Sequence, residues 1–220
     1  MTKQFSIIQE RQYYCESPKT YKEESGTFVE TLMSCTAGPN WRDYFHGKDV
    51  LELGAGECTY VPYLLTKAEP ATYIASDIFE HRYAAAEKVL CERFGNLEFR
   101  VLRADKIEVP EDSFNTILAF GLYHHLPDLE KAFINANKML RPGGTLILRD
   151  PYAGNPALYL KYLFTKRSPN EWPLSIFKTT RALLESAFLL ERVARFWLRF
   201  PYLPSGPWST NLAVVARKTR

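Results

Sequence analysis

The sequence is poor in the residues that build covalent or metal-held frameworks. Its four cysteines, Cys15, Cys35, Cys58 and Cys91, are scattered, and no two stand in a C-x-x-C pair. That spacing argues against metal or redox use and for reduced thiols, as in a cytoplasmic protein. No stretch approaches the roughly 18 uninterrupted apolar residues of a membrane span. The N-terminus has no apolar core of a signal peptide, so the expected location is the cytoplasm. Repeats and low-complexity tracts are also missing. A net charge of only +3 is too small to suggest nucleic acid as the main partner.

The charge is unevenly spread. Residues 1–150 hold 17 Lys and Arg against 22 Asp and Glu, whereas residues 151–220 hold 11 against 3. The basic C-terminal part either faces an anionic substrate or a membrane surface, or is a solvated basic face. Peripheral membrane contact therefore stays open. A chain of 220 residues is long enough for one sizeable core, with at most an added lid.

What organises the chain is the stretch Asp49-Val50-Leu51-Glu52-Leu53-Gly54-Ala55-Gly56-Glu57-Cys58-Thr59. An apolar run ends in an acid, then a glycine-rich turn. This spacing predicts a parallel strand feeding a ligand-binding turn, with helix N–H groups aimed at the ligand. The third glycine of the dinucleotide fingerprint is replaced by Thr59.

Further along, a short helix is expected over 60–67, then a second strand over 72–77 ending in Asp77. A carboxylate there can accept from a ribose diol or cap the next helix. A helix is expected over 79–94, with Ala86, Val89, Leu90 and Phe94 on its core face. Strands follow over 97–102, 114–120 and 145–148. Asp105 follows the third. Phe120, Gly121, Tyr123, His124 and His125 end or follow the fourth, and Arg149, Asp150 and Tyr152 the fifth. A helix opening at Pro127-Asp128 carries Leu129, Phe133, Ala136 and Leu140, and Arg141-Pro142-Gly143-Gly144 ends it.

Strands alternating with helices predict a doubly wound α/β sheet. Right-handed crossovers put the carboxyl ends of its strands on one rim, where ligands bind. The end of the chain predicts a helix capped by Thr179 or Thr180 and running to Leu190. Strands over 194–200 and 210–216 then form an antiparallel hairpin. A helix is expected over 21–35, on an N-terminal arm that includes Tyr13 and Tyr14. The expected organisation is a single domain: an arm (1–47), a cofactor-binding core (48–150), a lid or insertion (151–178), and a helix with hairpin (179–220).

These signals resemble the class I S-adenosylmethionine-dependent methyltransferases, in the small-molecule branch. The resemblance rests on Glu52-Leu53-Gly54-Ala55-Gly56, Asp77, Ala104-Asp105, Tyr123-His124-His125-Leu126-Pro127 and Leu140-Arg141-Pro142-Gly143-Gly144, in that order. It implies a seven-stranded Rossmann-like sheet, mostly parallel with a C-terminal antiparallel hairpin and helices on both faces. It implies S-adenosylmethionine as methyl donor, leaving as S-adenosylhomocysteine, with no metal. Glu52, Gly54, Ala55 and Gly56 would hold the methionine part and Asp77 the ribose. Ile78, Asp105 and Lys106 would meet the adenine, and Phe120 and Gly121 would flank the sulfonium.

The acceptor would be a small molecule, natural-product, lipid or glycan-like, with oxygen the favoured nucleophile. Tyr13, Tyr14, Tyr123, Arg149 and Tyr152 are its candidate contacts. His124, then His125, are the candidate bases, the alternative being that these histidines are part of the fold motif. No Asn-Pro-Pro-Tyr or Asp-Pro-Pro-Tyr follows the fourth strand, which argues against amino methylation of nucleic acid. The chain is expected to be a monomer or homodimer. Two other readings are a non-catalytic cofactor-binding protein on the same fold and, much less supported, a nicotinamide-dependent oxidoreductase.

Overall fold

The computed structural model describes residues 21–164, 171–200 and 203–219. Tyr13, Tyr14, Lys166 and Arg167 lie outside them. Seven strands form one sheet: β1 (Asp49–Leu53), β2 (Thr72–Asp77), β3 (Leu97–Val101), β4 (Phe114–Phe120), β5 (Leu140–Pro151), β6 (Phe188–Phe196) and β7 (Asn211–Lys218). Their order is β3-β2-β1-β4-β5-β7-β6. The first five run parallel, and β7 is antiparallel to both β5 and β6.

The helices are α1 (Gly26–Ala37), α2 (Val61–Ala68), α3 (Glu80–Leu90), α4 (Leu129–Met139), α5 (Pro156–Phe164) and α6 (Ile176–Glu185). Alternate residues of each central strand face opposite ways, as the pleat requires. Leu118, Phe120 and Ile147 pack with Val29, Leu64 and Tyr83, under α1, α2 and α3. Ile117, Ala119, Leu146 and Leu148 pack with Phe133, Ala136 and Leu183, under α4 and α6. With both faces covered, β4 is apolar from Ile117 to Phe120, and its buried Thr116 hydroxyl donates to the Tyr44 carbonyl.

The sequence-based bounds shift at many element ends, most by one or two residues. The first helix starts at Gly26 rather than 21, because the Ser25 hydroxyl accepts the Phe28 N–H at 3.3 Å and fixes the start there. α3 ends at Leu90, and Val89 points to solvent while Tyr83 takes its expected core place. β5 begins at Leu140, not 145. Its register against β4 breaks between Phe114 and Thr116. A Cβ on Gly144 would stand 2.9 Å from the Arg141 carbonyl oxygen and 3.1 Å from that of Asn115, so this bend requires glycine.

The last helix runs over Ile176–Glu185, so Thr179 and Thr180 lie inside it. The Thr180 hydroxyl donates to the Ile176 carbonyl instead of capping. Ala187, with φ 60°, turns the chain, so that Phe188 opens β6, which runs over Phe188–Phe196 and not over the expected 194–200. The lid-or-insertion segment therefore gives up residues 176–178 to α6.

No helix among the described residues is long and apolar enough to cross a membrane, and no group of three or more metal-ligating side chains is found there.

Ile117 sits fully buried at the centre of β4. Ile117→Ala is expected to cost about 2–5 kcal/mol, by lost burial plus the cavity left behind. Urea denaturation should show a lower midpoint with an unchanged slope. A variant as stable as the parent would mean that the sheet centre collapses around the gap.

Candidate active site

β1 is flanked by β2 on one side and β4 on the other. The chain winds outward in opposite directions from this pair. The loops after β1 and β4 therefore part and leave a crevice at the carboxyl rim. A cavity of about 310 Å³ fills that crevice. Its wall brings together Gly54, Ala55, Gly56, Asp77, Ile78, Asp105, Phe120, Gly121, His125 and Arg149. Ten of the candidates raised from sequence thus surround one space.

The turn after β1 owes its shape to two residues in the left-handed region. Gly54 has φ 71° and Gly56 φ 55°. A Cβ on Gly54 would press on Leu122 at 3.1 Å, and one on Gly56 on Arg82 Nη2 at 3.0 Å. Asp77 ties this turn to β2. Its Oδ2 accepts the Gly56 N–H at 3.1 Å and its Oδ1 the Phe79 N–H at 3.1 Å. Each oxygen keeps a lone pair for a ligand. Burial raises the Asp77 carboxyl above its ordinary range, and the two amides oppose the rise.

Asp105 is gripped in a two-pronged pair by Arg103, at 2.9 and 2.6 Å. That pair holds its carboxyl below the usual range. Arg82 reaches across from α3 to Glu57 at 3.7 Å.

Glu52 stands behind the cavity rather than in its wall. It is 3% exposed, and the Tyr73 hydroxyl donates to its Oε2 at 2.7 Å. Burial first, and the nearby Asp77 charge, push the carboxyl up to about 7 despite that bond. Lys106 also lies outside the lining, and its N–H donates to the Arg103 carbonyl.

The loop after β4 turns at Gly121, φ 67°, into a short 3-10 segment, Tyr123–His125. Tyr123 is 1% exposed and stacks on Phe133 at 4.7 Å between ring centres, so it is core and not cavity wall. Tyr152 is likewise buried, under the Arg195 guanidinium. These two tyrosines are scaffold because their rings face the α4 and β6 sides rather than the crevice.

The two histidines differ sharply. His125 lines the cavity, and burial pulls its pKa down to about 3, so it is held neutral. His124 is pinned by Asp150, which is wholly buried on β5. The Asp150 Oδ1 accepts the His124 backbone N–H at 3.2 Å and lies 2.6 Å from ring Nδ1. With Nδ1 carrying the proton toward Asp150, Nε2 is left as the basic nitrogen. The His124 Cε1 comes within 3.8 Å of where a Gly121 Cβ would stand. Nε2 also faces Glu171 Oε1 at 3.8 Å. The Trp172 N–H donates to the His124 carbonyl at 2.9 Å.

Sequence reasoning missed Tyr60, Arg82 and Glu171. Tyr60 and Arg82 sit in helix starts that face the rim, a position recoverable from strand-helix spacing. Glu171 lies far along the chain, and nothing local signals its approach to His124.

Residues 51–148 match the family model described as a methyltransferase domain. A highly reducing polyketide synthase of Pyricularia oryzae is 30% identical over 130 residues, which is 53% of this chain and 4% of that protein. A ubiquinone/menaquinone biosynthesis C-methyltransferase of Rickettsia massiliae is 30% identical over 132 residues, covering 54% of this chain and 53% of the relative. The chain thus spans about half of one relative's length and a small part of the other's. A solved S-adenosylmethionine-dependent methyltransferase from Mesorhizobium loti superposes with a TM-score of 0.64 at 18% identity, over 82% of this chain and 97% of that one. Over residues 51–148 the chain thus resembles a methyltransferase domain, and its fold is that of the solved methyltransferase it superposes on.

The buried Glu52 has a testable consequence. Its folded pKa lies above its unfolded value near 4.5. The folded state therefore holds a proton that the unfolded state releases between about pH 4.5 and 7. Stability should fall as pH rises through that window, by an amount on the order of a few kcal/mol. Glu52→Gln should flatten this slope and be the more stable form at pH 8. Parallel stability-pH curves for the two proteins would show that Glu52 is ionised throughout.

Proposed function

We propose that this chain transfers the methyl group of S-adenosylmethionine to a small-molecule acceptor that must lose a proton to react. The observation that carries this reading is the cavity shared by the glycine turn, Asp77, Asp105 and Gly121; His124 is outside its lining, packed behind Gly121.

The residues fit such a donor. A cation bearing an ammonium and a diol suits a pocket whose first half is lined by carboxylates. Gly54 and Gly56 leave the room that a Cβ would fill. Asp77, already bonded to two amides, offers its remaining lone pairs to the ribose hydroxyls. Asp105 and Ile78 line the end where adenine would lie, with Leu102. Glu52, behind the wall, acts on the ammonium through the turn or through water. When bound, the donor presents a sulfonium methyl whose carbon–sulfur pair returns to sulfur as the acceptor's pair attacks from behind.

The protein's part is then alignment, exclusion of water and removal of one proton. His124 is the residue for that proton. Asp150 holds its Nδ1 and leaves Nε2, which faces Glu171, as the basic nitrogen that a general base needs. His125, held neutral in the wall, shapes the cavity near the methyl. Both oxygen and carbon acids meet the requirement of a removable proton. The Rickettsia relative, named as a C-methyltransferase, supports carbon.

The first experiment is transfer of labelled methyl from S-adenosylmethionine to fractionated metabolite pools, with identification of the product. Donor bound tightly without transfer to any fraction would favour a non-catalytic binding protein. Asp77→Ala should weaken donor affinity by about 10- to 100-fold, the value of one or two hydrogen bonds to a charged group. Unchanged affinity by calorimetry in a folded variant would take Asp77 out of the site. His124→Ala should lower turnover by roughly 10²–10⁴-fold while donor affinity stays within a few fold. Wild-type turnover in that variant would leave alignment alone as the mechanism.

A further inference from the structure

Arg149 is a cavity residue whose hydrogen bonding is incomplete. It leaves the rim end of β5, one residue before Asp150, and lines the cavity beside Phe120 and Gly121. Its guanidinium lies 5.1 Å from the centre of the Phe120 ring. Its Nη1 donates to the Asn211 Oδ1 at 3.1 Å. Its Nε is buried with no hydrogen-bond partner. Among the described residues no carboxylate pairs with it. Every other arginine in the wall differs: Arg82, the second one there, faces Glu57.

A buried guanidinium N–H without an acceptor costs free energy that a ligand can recover. The cost is tolerated here because the residue is held from two sides. Asn211, on β7, fixes one end of the fork, and the Phe120 face supports its plane. Tyr60 closes the same corner, edge-on to Phe120 at 6.2 Å. The Arg149 backbone carbonyl accepts the Gly121 N–H at 2.7 Å. The guanidinium is therefore built onto the strand end that also sets the Gly121 turn.

The acids of the wall, Glu57, Asp77 and Asp105, all come from the β1, β2 and β3 side. The unneutralised cation comes from β5, past Gly121. A positively charged donor would avoid that corner, so the corner is left for the acceptor. Resting on the methyl-transfer reading, we infer that Arg149, held by Asn211 and Phe120, is an anion subsite that binds an oxyanion of the acceptor beside the methyl group. The shared chemistry is a negatively charged oxygen, from either a carboxylate or the enolate of a β-dicarbonyl compound. A planar, two-pronged cation suits both. Neutral alcohols and amines lack the charge that would offset the burial of this fork.

The test is calorimetric titration of the full chain, with and without S-adenosylhomocysteine, using benzoate, acetylacetone and benzyl alcohol as probes. Saturable binding of benzoate or acetylacetone, at least about tenfold tighter than benzyl alcohol, is expected. Whichever anion binds identifies the carboxylate or the enolate source. Arg149→Met should weaken the anion by about 10- to 100-fold, Arg149→Lys by less, and neither should move S-adenosylhomocysteine affinity more than a few fold. With acetylacetone, the ultraviolet enolate band should grow on binding to the parent and not to Arg149→Met.

Equal binding of all three probes, no binding of either anion, or unchanged anion affinity in a folded Arg149→Met would overturn the subsite. Absence of S-adenosylhomocysteine binding to the parent chain is a different failure. It would remove the donor reading, while the titrations without S-adenosylhomocysteine would still report on Arg149.

Discussion

The reversal of winding between β1 and β4 is the constraint on which the rim depends. Had the sheet kept one direction, the loops after these strands would lie side by side and close over each other. Instead β2 and β3 extend one way and β5, β7 and β6 the other. Backbone left unpaired at the parting must find partners. Asp77 takes the Gly56 and Phe79 N–H groups, and Asp150 takes that of His124. Both carboxylates sit at strand ends because only there can a side chain meet the turn of a neighbouring strand. The groups that stabilise the rim are thus the ones that give it charge.

That charge is sorted. On the β1–β3 half, carboxylates line the wall; Arg103 grips Asp105 from outside it, and Arg82, itself in the wall, faces Glu57. On the β4–β5 half stand two histidines and Arg149. Gly121, between the halves, contributes no side chain. In the proposed reading the sorting separates a cationic donor from an acceptor that carries or develops negative charge. It also lowers reorganisation on binding, because the carboxylates are oriented before any ligand arrives. Burial of Glu52 behind the turn adds a reserve of negative charge, released when a proton leaves a carboxyl that titrates near 7.

Much of this was legible in the sequence, and for physical reasons. Strand β4 over Phe114–Phe120 and strand β2 over Thr72–Asp77 were recoverable residue for residue, since buried parallel strands leave mostly apolar runs. Glycines with left-handed φ stood where a tight turn had to be. What failed was direction. Tyr123 looked like a rim residue by position, but the 3-10 segment rotates its ring onto Phe133. Val89 matched helical spacing, yet it is exposed and Tyr83 is the buried one, its ring tilted against Phe99 at 5.3 Å. The early end of the last helix depends on Ala187 taking φ 60°, which an alanine does not announce. Contacts between distant segments, such as Glu171 with His124, leave no local trace.

The same distance explains how the reactive end of the cavity is tied to the rest of the chain. Two separate pieces hold His124: Asp150 on β5 at its Nδ1, and the segment in which Glu171 faces its Nε2 and the Trp172 N–H donates to its carbonyl. The segment carrying Glu171 and Trp172 is anchored in turn. Leu174 donates its N–H to the Pro151 carbonyl at 2.7 Å and accepts from Ala153, forming a bridge between Tyr152 and Leu174. Strand β5 therefore supports the histidine twice, once directly and once through residues 171–174. Any movement of that segment changes what Nε2 faces without moving Asp150. In the proposed mechanism the tautomer is thus a fixed property of the sheet, while what the basic nitrogen faces is set by residues 171–174.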